Sequence, residues 1–140
     1  MGPTPWNAAL DTGNPALDEQ HRELFHLHAE AVDSARGVEG RPAPTVLAEL
    51  LKSTREHFAF EEELMAEAGY PGREPHGQAH REFMDDLVAL VAEGTRDPSS
   101  MALRLWLESR YPSWWKWHLR THDVALARHL MAPPAPAAAS

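Results

Sequence analysis

The chain has no cysteine, which removes disulfides, zinc thiolates, iron–sulfur clusters and cysteine nucleophiles from consideration. It is short of positive charge: 13 Lys and Arg stand against 21 Asp and Glu, for a formal net charge of -8. No basic cluster is available to neutralise nucleic-acid phosphates, and a solvated acidic surface is the plain reading of the balance. No apolar run approaches the roughly 20 residues that span a bilayer. The N-terminus has no basic stretch followed by an apolar one, so the cytoplasm is the expected compartment. Internal repeats and strand-like alternation are missing too. What the chain has in excess is histidine, nine residues against two Tyr and four Phe. Imidazole is the commonest neutral metal ligand, so this is the main compositional clue.

At 140 residues the chain is one domain, long enough to close a core without covalent staples. Residues 1–16, MGPTPWNAALDTGNPA, are rich in Pro, Gly and Asn and read as an N-terminal arm ordered around Trp6. Residues 17–131 carry four helical patterns. The first is expected to start near Asp18 as N-cap, with Leu17, His21, Leu24, Phe25 and His28 on one side. Arg22, Glu23, His26 and Glu30 fall largely on the other. The segment GVEGRPAP, from Gly37 to Pro44, is a turn. The second pattern runs over Leu47, Leu50, Leu51, Thr54, His57, Phe58, Glu61, Leu64 and Met65 and stops at Gly69-Tyr70-Pro71-Gly72. The third carries His76, His80, Phe83, Met84, Leu87, Leu90 and Val91 and closes between Gly94 and Pro98. The fourth runs from about Ser99 to Met131, with Pro112 inside it as a kink or restart. Residues 132–140 form a Pro/Ala tail with too little apolar content to fold, and disorder is expected there. Four helices joined by short turns predict an all-α, antiparallel up-down-up-down four-helix bundle, whose interior can hold a site built from facing helices.

His57-x-x-x-Glu61 and His76-x-x-x-His80 each aim two donors along one helix face. Both pairs interrupt apolar stripes, and a polar ionisable group facing a core costs several kcal/mol unless it is paired or coordinated. Either spacing alone is common in helical proteins, where a buried histidine bonded to a carbonyl is the ordinary outcome. Position is more telling. The end of the second helix and the start of the third lie at one end of the bundle, a level that His21 and His118 also reach, so a shared metal site follows. Helical spacing alone pairs His118 with His122 rather than with Asp123, which an ideal helix turns well away. His28 reads as a satisfied core histidine, His26, His122 and His129 as surface or supporting residues, and Glu62 and Glu63 as solvated.

The chain resembles the bacterial hemerythrins in five separated segments: Trp6-Asn7; LDEQHRELF from Leu17 to Phe25; HFAFEEELMAEAGYP from His57 to Pro71; His76-x-x-x-His80; and Trp114-x-x-x-His118 with Asp123 five residues on. The likeness runs from about Trp6 to Leu130. It implies a non-haem di-iron centre with His21 and His57 on one iron and His76, His80 and His118 on the other. Glu61, Asp123 and an oxo or hydroxo group would bridge them. Under this resemblance Asp123 is the carboxylate and His122 is spare, and a local irregularity of the helix accompanies the five-residue step. The implied function is reversible dioxygen binding, as carrier, store or delivery protein without catalytic turnover, with oxygen held as hydroperoxide on the five-coordinate iron. Dioxygen is the expected partner; no nucleic-acid or membrane partner is expected, and no protein partner can be named.

The implied ligand set suits that role. Two ferrous ions bring four positive charges; two carboxylates and a hydroxide offset three, and five neutral imidazoles offset none. A carboxylate-rich di-iron site has more anionic donors and favours higher oxidation states. Leu24, Phe58, Trp114 and Leu119 occupy positions suited to the apolar wall of an oxygen pocket, a role compatible with ordinary core packing. Trp115 and Thr121 stand where the resemblance implies aliphatic residues. The indole narrows the pocket, and a threonine hydroxyl donating to bound peroxide predicts faster autoxidation. Competing functions are a di-iron enzyme acting on peroxide, nitric oxide or ferrous iron, for which Thr121 is the hint, and an oxygen or redox sensor, against which the lack of an attached signalling domain counts.

Overall fold

Asn14, not Asp18, caps the first helix. In the computed structural model, which describes residues 10–132, α1 (Pro15–Ala35) opens with Asn14 Oδ1 accepting from the Leu17 amide at 3.1 Å. Pro15 fills the first turn, where its missing N–H has no partner to lose. Asp18 lies inside that turn, buried, and accepts from the Thr12 amide at 2.7 Å, the Thr12 hydroxyl at 2.8 Å and the Gly13 amide at 3.1 Å. It fastens the incoming chain to the helix instead of capping it, which moves the helix start to Pro15, ahead of the expected boundary at residue 17. Of the arm, buried Leu10 is described; Trp6 and residues 133–140 of the Pro/Ala tail lie outside the described residues.

A left-handed glycine ends each of the first two helices. Gly37, with φ +80°, follows α1, and Gly69, with φ +59°, follows α2 (Ala43–Glu67), where the Tyr70 amide returns to the Met65 carbonyl at 3.0 Å. After α3 (Arg73–Arg96), Ser100 Oγ accepts from the Leu103 amide and starts α4 (Met101–Leu105). The fourth rod then continues without a break through α5 (Tyr111–His118) and α6 (Val124–Met131), joined by two wider π-turns, Trp106–Arg110 and Leu119–Asp123.

Pro112 accounts for the first π-turn. The Tyr111 amide reaches back five residues to the Trp106 carbonyl. The next donor in that register would be the N–H of Pro112, which does not exist, so the Leu107 carbonyl is left for another group. Buried His28 supplies it, its Nε2–H donating to Leu107 O at 2.6 Å while the ring stacks on Tyr111 at 4.2 Å. His28 is therefore the satisfied core histidine expected, and the kink expected at Pro112 is a change of hydrogen-bond register.

The rods pack in sequence order, α1 on α2, α2 on α3 and α3 on α4, with α4 and the π-turn after it closing back on α1. This is the predicted four-helix bundle. Among the described residues there is no strand and no helix long and apolar enough to cross a membrane. The core is split in two. A large apolar cluster includes Leu24, Leu50, Phe58, Phe83, Trp115 and Leu119; a small one joins Leu17, Met65 and Leu126. Each fully buried leucine contributes roughly 1.5–3 kcal/mol. Between the two clusters, at His21, Glu61 and Asp123, the same helices turn polar side chains inward.

Candidate metal centre

Seven buried side chains from all four rods meet in that polar layer: His21 from α1, His57 and Glu61 from α2, His76 and His80 from α3, His118 from α5 and Asp123 from the second π-turn. They fall into two donor sets that share both carboxylates. Glu61, His76, His80, His118 and Asp123 form one, and His21, His57, Glu61 and Asp123 the other, with the donor atoms of each set within 4.8 Å of one another. Asp123 faces both ways: Oδ2 lies 3.1 Å from His21 Nε2, while Oδ1 lies 3.0 Å from His76 Nε2 and 3.1 Å from His118 Nε2. Glu61 Oε1 stands 3.4 Å from His57 Nε2 and 3.1 Å from His80 Nε2. All five histidines thus present Nε2 to the centre.

The second π-turn is what brings Asp123 in. The Val124 amide reaches back to the Leu119 carbonyl, and because a wider turn takes more residues, the residue five beyond His118 returns to its face. The irregularity expected from the five-residue step is this turn. The same change of phase rotates His122 outward: it is half-buried, its ring 5.1 Å from His76 and 5.2 Å from Trp117, and it belongs to neither donor set.

The donor set fits a metal pair. Both oxygens of Glu61 and of Asp123, both nitrogens of His76, and His57 Nε2 are buried, and none is aligned for a hydrogen bond. Nε2 of His80 and Nε2 of His118 face each other at 3.1 Å. Two donors at right angles, each about 2.1 Å from one ion, stand about 3 Å apart, so the spacings here suit coordination. Buried polar atoms left without aligned partners are otherwise costly. The electrostatics agree. Burial works against charge on Glu61 and Asp123, but the imidazoles around them hold both carboxyls well below the usual range. Burial lowers His80 and His118, which favours neutral, metal-binding imidazole. Burial also opposes charge on His76, where Asp123 and Glu61 prevail and raise it to about 9, and Asp123 raises His21 in the same way. Two anionic carboxylates draw positive charge into this layer.

The aromatic side chains expected to wall the site do surround it. Phe58 stacks on His80 with ring centroids 3.9 Å apart, Trp114 stacks on His118 at 4.3 Å, and Trp115, fully buried, lies 5.6 Å from His21 and 5.9 Å from His57. Leu24 and Leu119 are buried in the same apolar cluster. Thr121 is a correction: it is exposed, and its hydroxyl donates to the Trp117 carbonyl at 2.6 Å, so it lines no pocket and donates to nothing inside. Glu62 is another. Glu63 is exposed as expected, whereas Glu62 is half-buried with Oε2 3.7 Å from His80 Nδ1. Gln20 carries no spacing signal of its own; its Oε1 accepts from His57 Nδ1 at 2.6 Å, which leaves Nε2 unprotonated toward the centre. A polar residue just before the inward His21 was its only signal.

The family model for the hemerythrin HHE cation binding domain matches residues 12–132. The chain is 32% identical to a bacteriohemerythrin of Stenotrophomonas maltophilia over 91% of its own length and 81% of that protein. It is 35% identical to a bacteriohemerythrin of Pseudomonas aeruginosa over 56% of this chain and 52% of that one, and 32% identical to a myohemerythrin of Riftia pachyptila over 64% and 70%. No solved structure matches.

Proposed function

This chain belongs to the hemerythrin family, and we propose that it binds dioxygen reversibly, as a carrier, store or delivery protein, at a non-haem di-iron centre. In this reading His21 and His57 would hold one iron and His76, His80 and His118 the other, with Glu61 and Asp123 shared between them. The observation that carries it is the inequality of the two donor sets, three imidazoles in one and two in the other around the same carboxylates. The poorer set offers one imidazole fewer, which would leave a coordination position for an exogenous ligand, and Trp115 packs against both of its histidines. Bound there, a ferrous pair would supply the two-electron chemistry of reversible dioxygen binding. The protein's own contribution is positioning and dryness. Gln20 fixes the His57 ring, Asp123 aims one oxygen at each set, and Phe58, Trp115, Leu24 and Leu119 keep out the water and protons that would convert binding into oxidation.

The enzymatic alternative loses its hint, because the Thr121 hydroxyl is turned to solvent. The test is iron analysis followed by an oxygen cycle. Reduced protein carrying two irons per chain is exposed to oxygen and then purged. A coloured form that returns to the colourless one over repeated cycles supports carriage; a one-way passage to the oxidised form, or protein that holds no iron pair, overturns it.

A further inference from the structure

Three of the five tryptophans lie in Trp114-Trp115-Lys116-Trp117, and oxygen binding uses at most two of them as walls. Trp117 walls nothing: it is 49% exposed. Yet it is joined to the centre through aromatic contacts. The Trp114 indole lies nearly parallel to the His118 ring, 4.3 Å away at 13°, and Trp117 is 6.4 Å from Trp114. Trp115 touches His21 and His57 on one side and meets Trp114 edge-on at 5.2 Å on the other. Both donor sets therefore open onto Trp114, and Trp114 opens onto a surface indole.

Indole and phenol are the aromatic side chains that give up an electron most readily; imidazole and phenyl hold theirs. Where an oxidised ring comes to rest depends on whether it can shed its proton. Trp115 Nε1 and the Tyr111 hydroxyl are buried, and the polar groups beside that hydroxyl are the Trp115 indole N–H and the Thr54 hydroxyl, neither of them a base that takes a proton, so an oxidised Trp115 or Tyr111 has nowhere to shed one. The exposed Trp117 can lose its N–H proton to water. The path thus runs outward and ends at Trp117.

We propose that Trp114 and Trp117 form an escape path that carries an oxidising equivalent from the centre to the surface when the protein meets hydrogen peroxide. The proposal rests on the iron pair of the preceding section. In half-reduced protein, with one ferrous ion remaining, peroxide needs two electrons and two protons to become two waters. One electron is drawn from that ferrous ion and one from Trp114 as the O–O bond breaks. Trp117 refills Trp114 and releases its indole proton, which with one further proton from solvent completes the two waters. The ferrous ion and Trp117 are oxidised, Trp117 to a neutral indolyl radical, and peroxide is reduced.

The experiment mixes half-reduced, two-iron protein with one equivalent of hydrogen peroxide. Samples frozen within milliseconds are examined by electron paramagnetic resonance, with ring-deuterated tryptophan to identify the radical, and digests of the products by mass spectrometry. The expected result is an indole radical assigned to Trp117 and, in samples then opened to dissolved dioxygen, which adds to that radical, oxygenated product concentrated there. Trp117→Phe shifts product inward to Trp114 and severalfold shortens the peroxide exposure the protein survives before it releases iron. Absence of an indole radical, product on the ligand histidines of the parent, or an unchanged product pattern in both Trp117→Phe and Trp114→Phe overturns the path. Iron content and the oxygen cycle are measured first on each sample. Intact cycling with scattered oxidation sinks the path alone, and protein without the iron pair sinks both proposals.

Discussion

His57 and His80 point the same nitrogen at the centre and differ in what stands behind the ring. Behind His57 is a neutral amide, Gln20, at 2.6 Å; behind His80 is a carboxylate, Glu62, at 3.7 Å. An acceptor on Nδ1 fixes the tautomer and the ring plane, and removing such a partner typically costs 10–100-fold in metal affinity. Gln20→Ala is therefore expected to weaken iron binding by about 10–100-fold in competition with a chelator. Gln20→Glu restores an acceptor and recovers most of the loss; an alanine variant as tight as the parent would show that the contact does nothing for the metal. Thr121 leads to the opposite expectation. With its hydroxyl committed to the Trp117 carbonyl and its side chain in solvent, Thr121→Val leaves the decay of the oxygenated form unchanged, where a threonine inside the pocket would have made the variant longer-lived.

The two π-turns of the fourth rod show which parts of a helix a sequence exposes. His118 and Asp123 are five apart, a spacing that the 3.6-residue period rejects and the family resemblance requires; only a wider turn satisfies both. In that turn each residue advances the chain by a smaller angle, so Asp123 completes the circuit that Thr121 falls short of. That is why Thr121 was expected inside and stands outside. His122→Ala is expected to keep both irons and Asp123→Ala to lose at least one, with metal analysis deciding; equal loss in the two would put the helix back in simple register. At the first π-turn Pro112 was legible but its consequence was not, because the group that answers the freed Leu107 carbonyl is His28, from another helix. His28→Leu leaves that carbonyl without its donor and costs about 1–3 kcal/mol by urea unfolding. Burial lowers the His28 pKa, so the fold favours its neutral form. This stability is complete above the ordinary histidine pKa of ~6.5 and is lost as pH falls from there through the lower folded value. Iron-loaded parent should accordingly weaken as pH falls below about 6.5 more steeply than His28→Leu. Parallel pH curves would refute the assignment.

At the scale of the whole molecule, the donor layer separates two apolar clusters of very different size, and this governs what iron removal does. Each polar stripe was visible along its own helix, as His57 and Glu61 among leucines or His76 and His80 ahead of Phe83, and so was the four-rod plan. That the stripes lie level follows from the alternating direction of the rods; that they cut Leu17, Met65 and Leu126 off from the main core depends on how the rods settle against each other and is written in no single stretch. The large cluster around Leu47, Leu50, Leu87 and Leu103 holds the far end of the bundle without help from the centre. Among the described residues the small cluster has three fully buried side chains, and its attachment runs through a layer of two carboxylates and five imidazoles. Cations binding only the folded state add stability as the logarithm of their excess over Kd, about 4 kcal/mol at a thousandfold excess. Chelation should therefore lower the melting temperature without erasing the helical circular dichroism. Amide exchange should quicken at the start of α1, across the α2–α3 turn and in α6, while α2 near Leu47 and α3 near Leu87 keep their protection. An even loss of protection along all four rods would mean instead that the centre and the main core unfold as one unit, and that the division into two clusters has no energetic meaning.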